Sequence, residues 1–280
     1  YPTPLDSDGR TPVNAECATR VPGFRCACCP PNIARLMASL PGYVYAQAGR
    51  DVYVNQFVNG TARLKLDGAE LRLTQQSDYP WQGDIRIRVE PAAAATFTLR
   101  VRVPGWSRHE ALPGGLYRFL DRQMRPATLA VNGQPVKLQL DRGFAVIERE
   151  WRPGDTVTLH LPLPVRVVGA RDDVTADRGR IAFQRGPIVF CAEGADNSGR
   201  VLDLAIPLRA ESRADFEYTF RNDRLGGVGL LTGNARRRGA ETRERITLVP
   251  YYAWSHRGAG EMTVWFPAEV PVRPARTRSE

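Results

Sequence analysis

The sequence has few lysines, few histidines and no long apolar run. Lys65 and Lys137 are its only lysines, so 37 of its 39 basic residues are arginines (39 − 2), and it has 3 histidines. No stretch approaches the roughly 18 consecutive apolar residues typical of a membrane-spanning helix. At 280 residues, with 42% hydrophobic and 25% charged residues, the chain has the composition of a globular protein with room for two domains. We expect no membrane partner.

The N-terminal residues lack both an initiator methionine and a signal peptide. Residues 1–9 are polar and contain prolines, without the basic start and apolar core of a secretory signal. We expect residue 1 to be the cut edge of a longer protein. The compartment therefore stays unknown, and both a bacterial cytoplasm and a periplasm are compatible with the sequence.

The net charge of +9 is spread along the chain. A nucleic-acid-binding protein usually gathers its basic residues on one face or arm. Here the arginines are scattered over predicted strands and turns, with one short run at 236–238. We expect a solvated, arginine-rich surface and no nucleic-acid partner.

One short helix is predicted near the N-terminus. Prolines at 30 and 31 suit a first helical turn, and Pro41-Gly42 predicts the helix end. Apolar residues recur at positions i, i+3, i+4 and i+7, as on one face of a helix: Ile33, Leu36, Met37 and Leu40.

From about residue 45 the apolar period becomes two, which is typical of strands. Asn132-Gly133 predicts a two-residue hairpin turn. Strands at roughly ten-residue spacing favour antiparallel β-sandwiches. We predict a mainly β fold with these parts: a loop and one short helix over 1–44, a first sandwich over 45–162 with a returning strand at about 261–270, a second sandwich over 163–260, and a tail over 271–280.

The five tryptophans have two interpretations. Aromatic faces suit the C–H surfaces of sugars, but packing in the core or between sheets is the more common role of such side chains. We favour packing for this set: Trp81, Trp106, Trp151, Trp254 and Trp265.

Three of the five cysteines, Cys26, Cys28 and Cys29, lie within four residues. Ring strain opposes a disulfide between adjacent cysteines, whereas clustered thiols suit a soft metal such as zinc. The start of a helix also favours the thiolate. A structural zinc knuckle and metal-free buried cysteines remain alternatives. A fourth ligand would be Cys17 or a residue upstream.

Residues 26–35 (CACCPPNIAR) and 42–45 (GYVY) resemble the bacterial β-L-arabinofuranosidases of glycoside hydrolase family 127. The resemblance continues in 99–106 (LRVRVPGW), 185–187 (RGP) and 250–254 (PYYAW). It therefore covers nearly the whole chain, and the cysteine–proline stretch is its most specific part.

The resemblance implies a catalytic (α/α)6 barrel followed by two β-sandwiches, so that residues 1–44 would be a remnant of the barrel. It implies zinc held by one glutamate and three cysteines. By position, Cys28 would be the nucleophile and a zinc ligand, Cys29 a second ligand, and Tyr1 a residue facing the sugar. The Glu-x-Cys pair and the acid/base glutamate of the family match no position here.

The implied activity is retaining hydrolysis of β-L-arabinofuranosides, small or oligomeric, with release of L-arabinose. Because the proton donor is unmatched, we expect this fragment to be inactive by itself. A homodimer is compatible with the sequence. The rival interpretation is a non-catalytic carbohydrate-binding or scaffold module whose cysteines hold only structural zinc.

Overall fold

The computed structural model describes residues 4–13, 17–21, 28–122, 125–209 and 214–269. Within these ranges the helices are α1 (Cys29–Ser39) and α2 (Pro41–Val44). The strands are β1 (Asp6–Ser7), β2 (Tyr45–Ala48), β3 (Asp51–Val54), β4 (Gly60–Leu66), β5 (Ala69–Ser77), β6 (Asp84–Pro91), β7 (Ala95–Arg102), β8 (Tyr117–Phe119), β9 (Thr128–Val131), β10 (Gln134–Val136), β11 (Leu140–Asp141), β12 (Phe144–Trp151), β13 (Asp155–His160), β14 (Val165–Ala170), β15 (Arg180–Arg185), β16 (Ile188–Glu193), β17 (Leu204–Pro207), β18 (Phe216–Arg221), β19 (Val228–Arg237), β20 (Arg243–Pro250), β21 (Met262–Thr263) and β22 (Phe266–Glu269).

The described residues form two compact units. The first unit comprises those in Gly23–His109 and Met124–Leu163, and the second those in Tyr1–Pro22, Glu110–Gln123 and Pro164–Glu280. The predicted mainly β fold, with two β-sandwich domains that follow a short helix in the sequence, is confirmed. None of the described helices is long and apolar enough to cross a membrane.

The first unit packs two sheets around one core. One sheet has the strand order β10-β9-β13-β6-β5-β4 and the other β11-β12-β7-β3-β2. Every second residue of β6 and β13 is buried, as expected for strands with one face on a core. Both sheets contribute to that core, for example through Ile87 of β6 and Leu99 of β7, each 0% exposed. The predicted hairpin at Asn132-Gly133 joins β9 to β10, with φ angles of 51° and 76°.

The second unit contains a ring of paired strands. Its sheet runs β16-β20-β19-β17-β22-β15, and β15 also pairs with β16, so the hydrogen-bonded path closes. Of these pairings, β17 with β22 is parallel and the rest are antiparallel. Ring closure removes sheet edges that would otherwise be unpaired. Phe183, Phe190 and Phe266, each 0% exposed, lie in its core.

Two parts of the predicted domain division were wrong. The strand expected to return to the first sandwich belongs to the second unit, where β21 pairs with β16 and β22 pairs with β15 and β17. Residues 110–123 also belong to the second unit, because β8 pairs with β14. Both of these segments pair with strands far away in the chain. Local periodicity does not encode which distant strands pair. The tail at 271–280 lies outside the described residues.

The helix α1 agrees with its prediction, but the chain beyond it does not. It begins at Cys29, before the apolar stripe, and ends at Ser39 as expected. Pro41 is the first residue of the four-residue helix α2, so a second short helix follows α1. A proline at the first position of a helix loses no hydrogen bond, because that N–H has no intrahelical acceptor.

Candidate active site

The cysteine pair lies where α1 begins. Cys28 caps the helix with φ −69° and ψ −36°, and Cys29 is its first residue. Pro30 and Pro31 follow in the first turn, where backbone N–H groups have no partner within the helix. The prolines therefore set the start of α1 without breaking it, and this start fixes where the two thiols lie.

Asn32 holds the backbone of Cys28. Its Nδ2 donates to the carbonyl oxygen of Cys28 at 2.8 Å, and Arg35 donates from Nη1 to Asn32 Oδ1 at 3.2 Å. Asn32 is not among the site residues predicted from the sequence. The available signal was its position four residues after Cys28, since residues four apart in a helix lie on the same face.

The two thiols have the spacing of neighbouring metal ligands. Sγ of Cys28 and Sγ of Cys29 are 3.7 Å apart, far beyond the roughly 2.05 Å of a disulfide bond. Two sulfurs bound to one tetrahedral zinc at about 2.3 Å each would lie about 3.8 Å apart. The pair therefore fits two of four zinc ligands. Within the described ranges, no group of three or more His, Cys, Asp or Glu could hold a metal ion.

The other sequence-predicted site residues are distributed as follows. Tyr1 and Cys26 lie outside the described residues. Cys17 is half-buried, and its carbonyl accepts a hydrogen bond from the Val13 N–H at 3.1 Å. Cys28 is exposed and Cys29 half-buried. Of the predicted residues, the structure thus brings Cys28 and Cys29 together.

Cys191 has the opposite environment. It is 0% exposed in the core of the second unit. Burial, followed by the nearby Glu193 carboxylate, raises the pKa of its thiol far above the ordinary value. A thiol that stays protonated is a poor nucleophile and a poor metal ligand. Cys191 is therefore a structural residue.

The apolar stripe of α1 is present but exposed. No residue of this helix is buried. The exposed fractions of the predicted stripe are 59% for Ile33, 49% for Leu36, 60% for Met37 and 40% for Leu40. Side chains of this kind are normally buried when a helix has an amphipathic pattern, so α1 carries an apolar face that the described residues leave open to solvent.

The tryptophan prediction is confirmed for four of the five positions, among them Trp106, which is partly buried against the core of the first unit. Trp151 is 0% exposed, stacks on Phe97 with ring centroids 5.7 Å apart, and donates from Nε1 to the Phe97 carbonyl at 3.0 Å. Trp254 and Trp265 are also buried. These buried rings pack within the units and offer no open stacking surface.

Two family models match the chain. The description "Beta-L-arabinofuranosidase, GH127 middle domain" fits residues 51–163, and "Glycoside hydrolase family 127 C-terminal domain" fits residues 165–267. The chain belongs to glycoside hydrolase family 127. The two matches meet at the proline-containing segment between the predicted sandwiches, and they identify the two β units as the middle and C-terminal domains of this family.

Three relatives with known names support this family assignment. A curated non-reducing end β-L-arabinofuranosidase of Bifidobacterium longum subsp. longum is 35% identical over 94% of this chain. A solved GH127 β-arabinofuranosidase has a TM-score of 0.88 and 39% identity over 97% of this chain. A GH127 β-L-arabinofuranosidase of Geobacillus stearothermophilus T6 has a TM-score of 0.83 and 35% identity over 96%. This chain spans 40%, 43% and 42% of their respective lengths.

Proposed function

We propose that this GH127 chain contributes the thiolate part of an active site that releases L-arabinose from β-L-arabinofuranosides with retention. The observation that carries the proposal is the Cys28–Cys29 pair, exposed at the start of α1 with its Sγ atoms 3.7 Å apart. The named activities of the relatives support the substrate class.

The reaction takes two displacements at the anomeric carbon. In the first, Cys28 Sγ bonds to that carbon while the glycosidic C–O bond breaks and a carboxylic acid protonates the leaving oxygen. In the second, the resulting carboxylate takes a proton from water as the water oxygen bonds to the same carbon, the C–S bond breaks and the Cys28 thiolate is restored. Two inversions give net retention. Asn32 keeps the backbone of the nucleophile in place through its hydrogen bond to the Cys28 carbonyl.

Cys28 and Cys29 would be two ligands of a zinc ion. Bound zinc would keep sulfur as thiolate at neutral pH and make it a better leaving group in the second displacement. The donor chemistry and the sulfur spacing of the pair fit this role.

The chain alone is proposed to be inactive. The acid/base glutamate and the Glu-x-Cys ligands of the family match no position in it, and its relatives are much longer. The exposed apolar face of α1 gives a physical reason as well. In our proposal, that face packs against the part of the catalytic domain that the relatives possess beyond the length matched here.

Cysteine variants of the intact protein that contains this sequence test the proposal. We expect Cys28→Ser to reduce hydrolysis of an aryl β-L-arabinofuranoside at least about 1,000-fold, because a nucleophile has been removed, and to lower bound zinc measured by elemental analysis. Cys191→Ala is the matched control and should keep both. An unchanged hydrolytic rate in Cys28→Ser with zinc lost would instead establish the rival, a structural zinc knuckle.

A further inference from the structure

The six-stranded sheet of the first unit has two adjoining grooves on its outer face. One has a volume of about 540 Å³ and the other about 600 Å³, and both include Gln76 and Asp84 in their walls. Each falls within the 300–1,000 Å³ typical of ligand sites. Because they share two residues, they form one continuous depression across the sheet, which we call the outer groove.

Polar side chains cross this outer groove in register. Gln76 of β5 pairs with Arg86 of β6, and Arg86 pairs with Thr158 of β13. Adjacent strands lie about 4.8 Å apart, so an amide, a guanidinium and a hydroxyl stand in a row about 10 Å long. Such groups together donate and accept hydrogen bonds, as the hydroxyls of a sugar do.

The guanidinium of Arg86 differs from that of its neighbour in its ion pairing. The neighbouring Arg88 forms an ion pair with Glu90 at 3.2 Å. In the described part of the chain, no comparable ion pair involves the guanidinium of Arg86. Because Arg86 lines the outer groove, its guanidinium N–H groups can donate there to a ligand.

The charge of the outer groove argues for a neutral ligand. Its walls carry one cation, Arg86, and two carboxylates, Asp78 and Asp84. His160 Nδ1 lies within hydrogen-bond distance of the groove, 2.7 Å from Asp84 Oδ1. The site therefore has no excess of positive charge with which to attract a polyanion.

We infer that the outer groove is a second, non-catalytic binding site for a neutral oligosaccharide. Hydroxyl groups of the ligand accept from Arg86 and exchange hydrogen bonds with Gln76 and Thr158. The inference takes only the substrate class from the proposed function and does not involve Cys28. Its role is to hold a glycan chain on the enzyme while a terminal sugar reacts elsewhere.

Affinity electrophoresis of the 280-residue chain in gels containing soluble neutral arabinan tests the inference. We expect retardation of the wild type and a roughly tenfold weaker affinity for the double variant Gln76→Ala/Thr158→Ala, because several hydrogen bonds are lost. Thr128→Ala is the matched control, since Thr128 lies exposed on the same sheet outside both grooves. It should bind like the wild type, and all variants should keep the wild-type unfolding midpoint.

Two further measurements distinguish binding in the outer groove from binding at the cysteine pair and from attraction of a polyanion. Cys28→Ser should bind arabinan as the wild type does, so this result stands whether or not the proposed nucleophile is correct. Polygalacturonate, a polyanion of similar length, should bind more weakly than arabinan. Equal affinity of the double variant and the wild type, tighter binding of polygalacturonate, or no retardation by arabinan would each overturn the inference.

Discussion

Asp121 and Arg166 form an ion pair within the second unit, and their side chains are 1% and 7% exposed. Arg166 Nε donates to Asp121 Oδ1 at 2.7 Å, and the Val167 N–H donates to Oδ2 at 2.8 Å. The guanidinium also lies 3.9 Å from the ring centre of Phe119. Removing one partner of such a pair leaves an uncompensated charge away from water, which costs far more than the net contribution of the pair itself.

Asp121→Asn is therefore expected to lower the free energy of unfolding by about 3–5 kcal/mol, because it leaves the Arg166 charge buried without its carboxylate. Urea denaturation followed by fluorescence measures the change. Asp173→Asn is the control, since Asp173 is 60% exposed in its pair with Arg171, and such pairs contribute about 1 kcal/mol or less. Similar losses in the two variants would contradict this view of the buried pair.

At the scale of elements, α1 is the helix whose pattern and surroundings disagree. It has an apolar stripe at helical spacing, yet all eleven residues escape burial. Strands of the first unit, in contrast, bury the apolar positions that their alternation predicts. The stripe of α1 therefore adds little to the stability of the chain as described.

The double variant Ile33→Gln/Met37→Gln should change the free energy of unfolding of this chain by less than about 0.5 kcal/mol, because exposed positions contribute little. In the intact GH127 protein, the same variant should reduce both stability and hydrolysis, since there we propose that the stripe is covered. Ile87→Ala, a control within the core, should cost about 2–5 kcal/mol in this chain. A large loss from the helix variant in the chain alone would show that α1 is packed here.

At the scale of the whole molecule, two cysteines, one in each unit, lie in opposite environments. Cys28 in the first unit is exposed, and Cys191 in the second unit is buried with a raised thiol pKa. Only the thiolate reacts with alkylating agents. Below its raised pKa the Cys191 thiol stays protonated in the folded state, and burial also blocks access.

Iodoacetamide at pH 8 should therefore label Cys28 in the folded chain and Cys191 only when the second unit unfolds. Mass spectrometry after brief labelling across a urea series measures both sites. The Cys191 labelling midpoint should match that of the unfolding transition, and Cys191→Ala identifies its peptide. Labelling of Cys191 in the absence of urea at a rate like that of Cys28 would contradict the buried environment.

The elements that local pattern predicts are those with clear alternation or helical spacing. Strands β6 and β7 follow the period of two that the sequence predicts beyond about residue 45, and they bury their alternate apolar positions. In contrast, β5 has a weaker pattern: Leu71 and Leu73 are buried, but most of its other positions are polar. The three-residue β8 carries too little pattern to be recognised and exists through its pairing with β14.

By itself, the sequence determined the features that depend on neighbours in the chain. The start of α1 and the position of the adjacent thiols follow from residues within one helical turn. Only the tertiary structure decided which distant strands pair: the closure of β15 on β16, the placement of 110–123, and the parallel pairing of β17 with β22. Alternation shows that a strand has a buried face, but its partner is chosen by the side chains and backbone groups of segments far along the chain.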